Sequence, residues 1–298
     1  KFLNAGKFYN VDVLIMGGDI TGKMIVPLIE QPDSTFKAYY LSREWVVKRG
    51  EELEELEKSI RYTGYYPYRT DPKEMEELSA DKEKVDRLFS QLMVEAIKRW
   101  VEMAEEKLRD TEIKMFVTPG NDDRFDIDPC LKTSEYVVDP EGLCVKIDDF
   151  HEMISTGFSN HTPWDAPREC DEEELEKKIE AMASQVQNME NCIFNFHCPP
   201  YNSKLDEAPV LDKDFRPVME GGGQMKMAPA GSTAVFDAII KHQPMLGLHG
   251  HIHESKGVRK LGRTLCVNPG SEYGEGILRG TIITLSEKGI KSYQLTSG

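Results

Sequence analysis

The sequence predicts an α/β protein, a two-sheet sandwich flanked by helices, and three observations carry that expectation. The runs VDVLIMGGD, IKMFVTPGND, CIFNFH and MLGLHGHIH are rich in Val, Ile, Leu, Met and Phe and close on Gly, Pro or a polar side chain, the pattern of strands buried on both faces. Between them, apolar residues recur at three- and four-residue steps, the mark of amphipathic helices that cover a sheet. Near the end, TLCVNPGS, RGTIITLS and IKSYQL read as three strands closing a second sheet.

Taken in order, KFLNAGKF reads as helix leading directly into a strand at Val11. A parallel-sheet enzyme ordinarily opens on a strand, so one is expected upstream of Lys1. The GGDITGK turn follows, and Pro27 and Pro32 are expected to break the fold. Residues 33–111 form a helical insertion after the first Gly-Asp: EELEELEK is a short exposed helix, RYTGYYPYRT an irregular loop above the strand ends, and Val85 to Leu108 one long amphipathic helix. Short strands come next near residues 136–138 and 143–147, then the loop-rich DFHEMISTGFSNHTPWDAPREC. Leu175, Ile179, Met182, Val186 and Met189 mark a second helix before the strand that ends at His197. Residues 199–231 read as an irregular segment whose three glycines, Gly221 to Gly223, suit a lid. Ser232 caps STAVFDAIIKH, and Pro244 stops it. No internal repeat is visible, and residues 1–298 are expected to form a single domain.

Composition bounds the function. With 52 acidic and 37 basic residues the formal charge is −15, which disfavours a broad hold on extended nucleic acid and favours small, locally recognised substrates. The six cysteines stand apart without C-x-x-C pairs, arguing against disulfides and structural zinc and for a cytoplasmic setting. No apolar run reaches about 18 residues and the first residues carry no secretory apolar region, so no membrane association is expected. A homo-oligomer is compatible with all of this.

The strand-like runs end on Asp19, Asn121, His197, and His251 with His253. In sheet proteins chemistry gathers beyond the carboxyl ends of strands, so these residues are expected to converge. One carboxylate, one amide and three imidazoles make a mixed oxygen and nitrogen set suited to Mn, Fe, Co, Ni or Zn rather than to Mg or Ca alone. At Gly18-Asp19, Gly120-Asn121-Asp122-Asp123, His197 and Gly250-His251-Ile252-His253 the chain resembles the calcineurin-like metallophosphoesterase superfamily, whose ordered pattern is D-x-H, G-D, G-N-[HC]-[DE], a lone His and G-H-x-H. The likeness extends to VNPGS at Val267 to Ser271.

That resemblance implies a four-layer α/β/β/α sandwich and two divalent transition-metal ions, Mn foremost, bridging a hydroxide that attacks a phosphate ester. It casts Asp19, Asn121 and His251 as catalytic. Asp19 would bridge the two metals; Asn121, His197 and His251 would complete the second site, and His253 would serve the first. The D-x-H ligands of that first site would lie on the strand missing before Lys1. His249 alternates away from His251 and is expected to pack or to support it.

Where phosphomonoesterases of this family place a proton-donating His after the metal-binding Asn, this chain has Asp122, beside which Asp123 orients neighbours. A carboxylate is a poor proton donor next to cations, so phosphodiesters are favoured over ordinary monoesters. The expected substrate is a small phosphoester or nucleotide. Arg61, Tyr65, Arg69, Asp122 and Arg168 are the candidates to contact it, the arginines by neutralising phosphate and the tyrosine by stacking. His151 and His161 read as ordinary loop residues.

Two other readings compete. Residues 17–23 formally fit G-x-x-x-x-G-K, but Met24 stands where a P-loop needs a hydroxyl, and Pro27 interrupts the helix such a loop feeds. A catalytically impaired scaffold of the same superfamily would have no need for the later ligands that this chain keeps.

Overall fold

The computed structural model describes residues 1–298. Its elements run α1 (Phe2–Phe8), β1 (Val13–Met16), β2 (Ile25–Glu30), β3 (Thr35–Tyr40), β4 (Arg43–Lys48), α2 (Glu51–Tyr62), β5 (Tyr66–Thr70), α3 (Pro72–Ala80), α4 (Lys82–Leu108) and β6 (Lys114–Val117). There follow α5 (Asp128–Leu131), β7 (Val137–Val138), β8 (Cys144–Lys146), β9 (Glu152–Thr156), α6 (Glu172–Ala183), β10 (Cys192–Phe196), β11 (Glu207–Pro209) and β12 (Met227–Pro229). The chain ends with α7 (Thr233–His242), β13 (Leu246–Leu248), β14 (Gly257–Leu261), β15 (Thr264–Asn268), β16 (Arg279–Ser286) and β17 (Gly289–Ser297). It divides into a main unit, Lys1–Ile20 with Ala104–Glu272 and Ile277–Gly298, and an inserted unit, Thr21–Met103 with Tyr273–Gly276. The fold is mixed α/β. No helix is long and apolar enough to cross a membrane.

In the main unit a six-stranded sheet has the order β14-β15-β13-β10-β9-β8, with four parallel strands at its centre and an antiparallel strand at each edge. A smaller parallel sheet orders β1-β6-β7, and β16 and β17 form an antiparallel hairpin. Alternation along β10 builds two cores. Ile193 points into one, formed with Met153, Leu246, Leu265 and Val267 and with Val13, Ile15, Phe116, Ile283 and Leu295 from the smaller sheet and the hairpin. Cys192, Phe194 and Phe196 point into the other, against Leu175, Ile179 and Met182 of α6 and Val235, Ala238 and Ile239 of α7. Every residue of β10 is buried, which is why its run reads as continuously apolar. Ser232 caps α7 as expected, its side chain accepting from Val235 N at 3.1 Å. On β1, Leu14 meets α1 so closely that a Cβ on Gly6 would lie 2.9 Å from Leu14 Cδ1.

Several expectations are corrected. The inserted segment is not simply helical: it carries a four-stranded sheet, β4-β3-β2-β5, on which α2 lays Leu53, Leu56 and Ile60. Pro27 sits inside β2 without breaking it, because pairing with β3 begins only at Ile29 and no N–H is needed on that side. The supposed loop RYTGYYPYRT contains β5, parallel to β2. The supposed loop after residue 149 holds β9, a central strand. Residues 199–231 include the β11–β12 pair and further bridges, Leu211 to Pro217 and Met219 to Met225, so that the three glycines form an exposed turn. Finally, β15 belongs to the six-stranded sheet beside β13, not to a sheet with β16 and β17.

Candidate metal centre

Parallel pairing sets the site. In β1 and β6 Met16 is level with Val117, so Gly17-Gly18-Asp19 and Gly120-Asn121 leave the small sheet at one edge. In β10 and β13 Asn195 is level with Leu248, so His197 and residues 249–251 leave the large sheet together. Asn195 joins the two sheets just below, its Nδ2 donating to Thr118 Oγ1 at 3.0 Å and Ser155 Oγ at 3.2 Å. Asp123, wholly buried, accepts from Gly120 N at 2.7 Å and Ile20 N at 3.0 Å and so ties the two acidic turns to each other, the orienting role expected of it.

The ligand atoms of Asp19, His197 and His251 all lie within 4.8 Å of one another. Asn121 stands among them, its Oδ1 3.1 Å from His197 Nε2 and 2.9 Å from His251 Nδ1. The protons can be assigned from partners that only accept. His197 Nδ1 lies 2.9 Å from the carbonyl of Gly17 and must donate to it, leaving Nε2 a lone pair in the neutral ring. Asn121 Nδ2 donates to Glu169 Oε1 at 3.3 Å, which turns Oδ1 toward the imidazoles. His197 Nε2 also faces Asp19 Oδ2 at 3.3 Å. Three acceptors thus share one focus, and only a proton or a cation reconciles them. Burial, the largest single influence, lowers the proton affinity of His197, but the Asp19 carboxylate, the Gly17 carbonyl and Asp123 together raise it, and the net shift is upward.

The backbone is arranged for this closeness. Gly18 has φ +127°, where a Cβ would meet His197 Nδ1 at 2.2 Å. A Cβ on Gly120 would meet Asp19 Oδ1 at 2.4 Å. Asp19 and His251 themselves hold left-handed conformations at φ 51° and 62°, which side chains other than Gly, Asn and Asp seldom adopt and which cluster at functional sites.

The other expected residues stand around this trio. His253, expected at the other metal, is not one of the three, and its carbonyl accepts from Ser271 N at 3.2 Å. Asp122 contributes its backbone N–H to Asp19 Oδ1 at 3.2 Å. His249 is buried, donates from Nδ1 to the carbonyl of Phe196 at 3.0 Å, and is pushed down to about 4 by burial, so it stays neutral and supports the turn from β10. His151 is buried with Nδ1 on Asp148, and exposed His161 lies 3.1 Å from Asp171.

The substrate candidates fare differently. Arg168 is a correction: its guanidinium is buried, donating to the carbonyls of Asp123 at 2.9 Å and Arg124 at 3.4 Å and to the Asp128 carboxylate, with Phe125 stacked on it. It braces the Asp123 turn from inside. Arg168→Met is expected to cost about 3 kcal/mol in urea unfolding, because Asp128 loses its partner. A rise in KM at unchanged stability would return Arg168 to a substrate role. Arg61, Tyr65 and Arg69 lie in the inserted unit. Both arginines pair with Glu57, at 3.3 and 2.5 Å, and Tyr65 packs edge-on to Tyr40.

Two supporting residues escaped the sequence reading. Glu169, whose side chain is 1% exposed, fixes the Asn121 amide and accepts from Thr162 N and Oγ1. Asn268 Nδ2 donates to the carbonyls of Leu205, Gly250 and Ile252 and so holds the loop bearing His251. Only Asn268 left a trace, as an Asn at a strand end before Pro-Gly. The P-loop reading fails on structure, since β2 rather than a helix follows Lys23.

No family model matches the chain. It is 28% identical over 178 residues to the uncharacterized protein MJ1162 of Methanocaldococcus jannaschii, a match spanning 59% of this chain and 70% of that protein. One crystal structure superposes with a TM-score of 0.56 at 15% identity, covering 99% of this chain and 91% of the other. TT1561 of Thermus thermophilus gives 0.44 at 16% identity over 69% of this chain and 79% of the other. The first of these structural likenesses shows that the mixed α/β fold has a solved counterpart along nearly its whole length.

Proposed function

We propose that this chain is a metal-dependent phosphoric ester hydrolase of the calcineurin-like type, with phosphodiesters favoured. The observation that carries the reading is the shared focus of Asp19 Oδ2, Asn121 Oδ1 and His197 Nε2 beside His251, an acceptor-only cluster whose mixed oxygen and nitrogen donors suit Mn, Fe, Co, Ni or Zn. The two cores of the main unit, one between the sheets and one under α6 and α7, support the four-layer reading. Asp19, Asn121, His197 and His251 would hold one ion, and Asp19 with His253 would contribute to a second.

Bound there, a divalent ion would supply Lewis acidity to a phosphoryl oxygen. The chain's own residues do the rest. Gly17 and Glu169 orient His197 and Asn121, Asp123 locks the two turns, and the left-handed backbone aims His251. Asp122 in place of an imidazole leaves a poorly activated leaving group without a ready proton. The Mn-supplemented protein is therefore expected to turn over bis(p-nitrophenyl) phosphate at least as fast as p-nitrophenyl phosphate and to lose both activities in chelator. Asp122→His is expected to raise alkyl monoester hydrolysis at least about tenfold. If alkyl monoesters are already the best substrates and Asp122→His changes nothing, another group supplies the proton.

A further inference from the structure

The candidate metal ligands lie past the carboxyl ends of β10 and β13, whereas the opposite end of the same sheet carries a cleft of about 600 Å³. Met245, the residue before β13, and Leu265, level with Leu246 in β15, are buried in its floor together with half-buried Ile290. Five residues of β10 at roughly 3.3 Å each separate this end from the metal ligands by about 15 Å.

The rim reverses the sign of the chain. Lys260 comes from β14, Arg263 from the turn into β15, Lys288 from the β16–β17 turn and Lys291 from β17, four cations around one opening in a protein of net charge −15. Glu190 is the acidic residue of the lining, and Arg263 takes it at 2.9 Å. Lys260, Lys288 and Lys291 make no ion pair. The walls are tied down: Asn191 Nδ2 donates to the carbonyl of Glu287 at 3.1 Å, which fixes the hairpin tip, and Arg263 Nε donates to that of Gln243 at 2.5 Å. Cations lining one opening, three of them without a carboxylate partner, make a local positive patch that draws a polyanion. A volume of this size suits a small molecule, and the apolar floor beside Tyr293, a ring 49% exposed, suits a planar base.

We propose that this cleft binds a nucleoside di- or triphosphate, its phosphates on the three unpaired lysines and its base against Met245, Leu265 and Tyr293. The site is separate from the metal centre and does not rest on the phosphoesterase reading. The test is calorimetric titration of chelator-treated, full-length protein with adenosine 5′-diphosphate and with pyrophosphate, repeated in His251→Ala. Saturable one-site binding of the nucleotide is expected in both proteins, weakened by salt and at least about tenfold by the exposed-site double variant Lys288→Glu/Lys291→Glu. Three results would overturn the proposal: no saturation by about 1 mM nucleotide, unchanged affinity in the double variant, or pyrophosphate binding as tightly as the nucleotide, which would leave the floor without a role.

Discussion

Gly18→Ala is expected to destabilise the protein by roughly 3 kcal/mol and to abolish tight metal binding, because two independent penalties meet at one atom. The new Cβ would lie 2.2 Å from His197 Nδ1 and 2.9 Å from the Gly120 backbone, and the residue would have to hold φ +127°. His197 cannot yield without leaving the carbonyl of Gly17, which assigns its tautomer. Gly221→Ala is the matched control, since nothing lies within 4 Å of its added Cβ. Urea unfolding should separate the two at similar m-values, with the control within about 0.5 kcal/mol of wild type. Equal stability of both variants would mean that the Gly18 turn relaxes and that the ligand loops are not locked.

His251→Ala is expected to weaken Mn binding by at least about a hundredfold, since it removes a ligand and not merely an outer hydrogen bond. The wild-type site should also bind metal in a pH-dependent way whose sign follows from His197. Metal needs the Nε2 lone pair, and the metal-free ring, burial notwithstanding, is held above the ordinary 6.5 by Asp19. Proton and metal therefore compete: affinity should be flat above the raised value and fall about tenfold per pH unit below it. Asp19→Asn should weaken binding and shift that fall to lower pH, because the carboxylate that raises the ring's proton affinity is gone. Titrations between about pH 5 and 8.5 that show constant affinity would remove His197 Nε2 from the ligand set.

The ligand-bearing strands were legible because each is an apolar run ended by a residue that turns the chain: VLIM before Gly17, KMFV before Thr118, CIFNF before His197. The β10 run is buried throughout, that of β6 is buried after Lys114, and β1 buries Leu14 between half-buried neighbours, so apolar composition betrays all three. The inserted sheet was not legible. Its β3–β4 turn is made by Leu41 and Ser42 at φ 52° and 57°, positions where Asn-Gly would have signalled a hairpin, and Pro27 lies where a strand tolerates it. Strand β9 was hidden because half of it is polar: Ser155 and Thr156 are buried, one accepting from Asn195, the other donating to Glu141. That burial holds the Glu141 carboxyl up at about 7 even with two donors.

In the site the same contrast holds. Asp19, Asn121, His197 and His251 could be named from strand ends, but Glu169 stands 48 residues from the Asn121 it orients, and no periodicity connects them. Arg168 misled for the opposite reason. Arginine in a polar loop reads as a surface cation, whereas here the side chain is buried with Nε on Asp123 and Nη2 on Arg124 and Asp128. His253 shares a motif with His251, and the left-handed turn at His251, φ 62°, lies between the strand end and His253.

The most direct measurement is anomalous diffraction from crystals of the protein equilibrated with Mn(II). A strong peak is expected with Asp19, Asn121 Oδ1, His197 Nε2 and His251 Nδ1 each at about 2 Å, together with its loss in His251→Ala crystals. A peak elsewhere, or none while Asp19, Asn121 and His197 keep their positions, would contradict the assignment of this cluster as a metal centre.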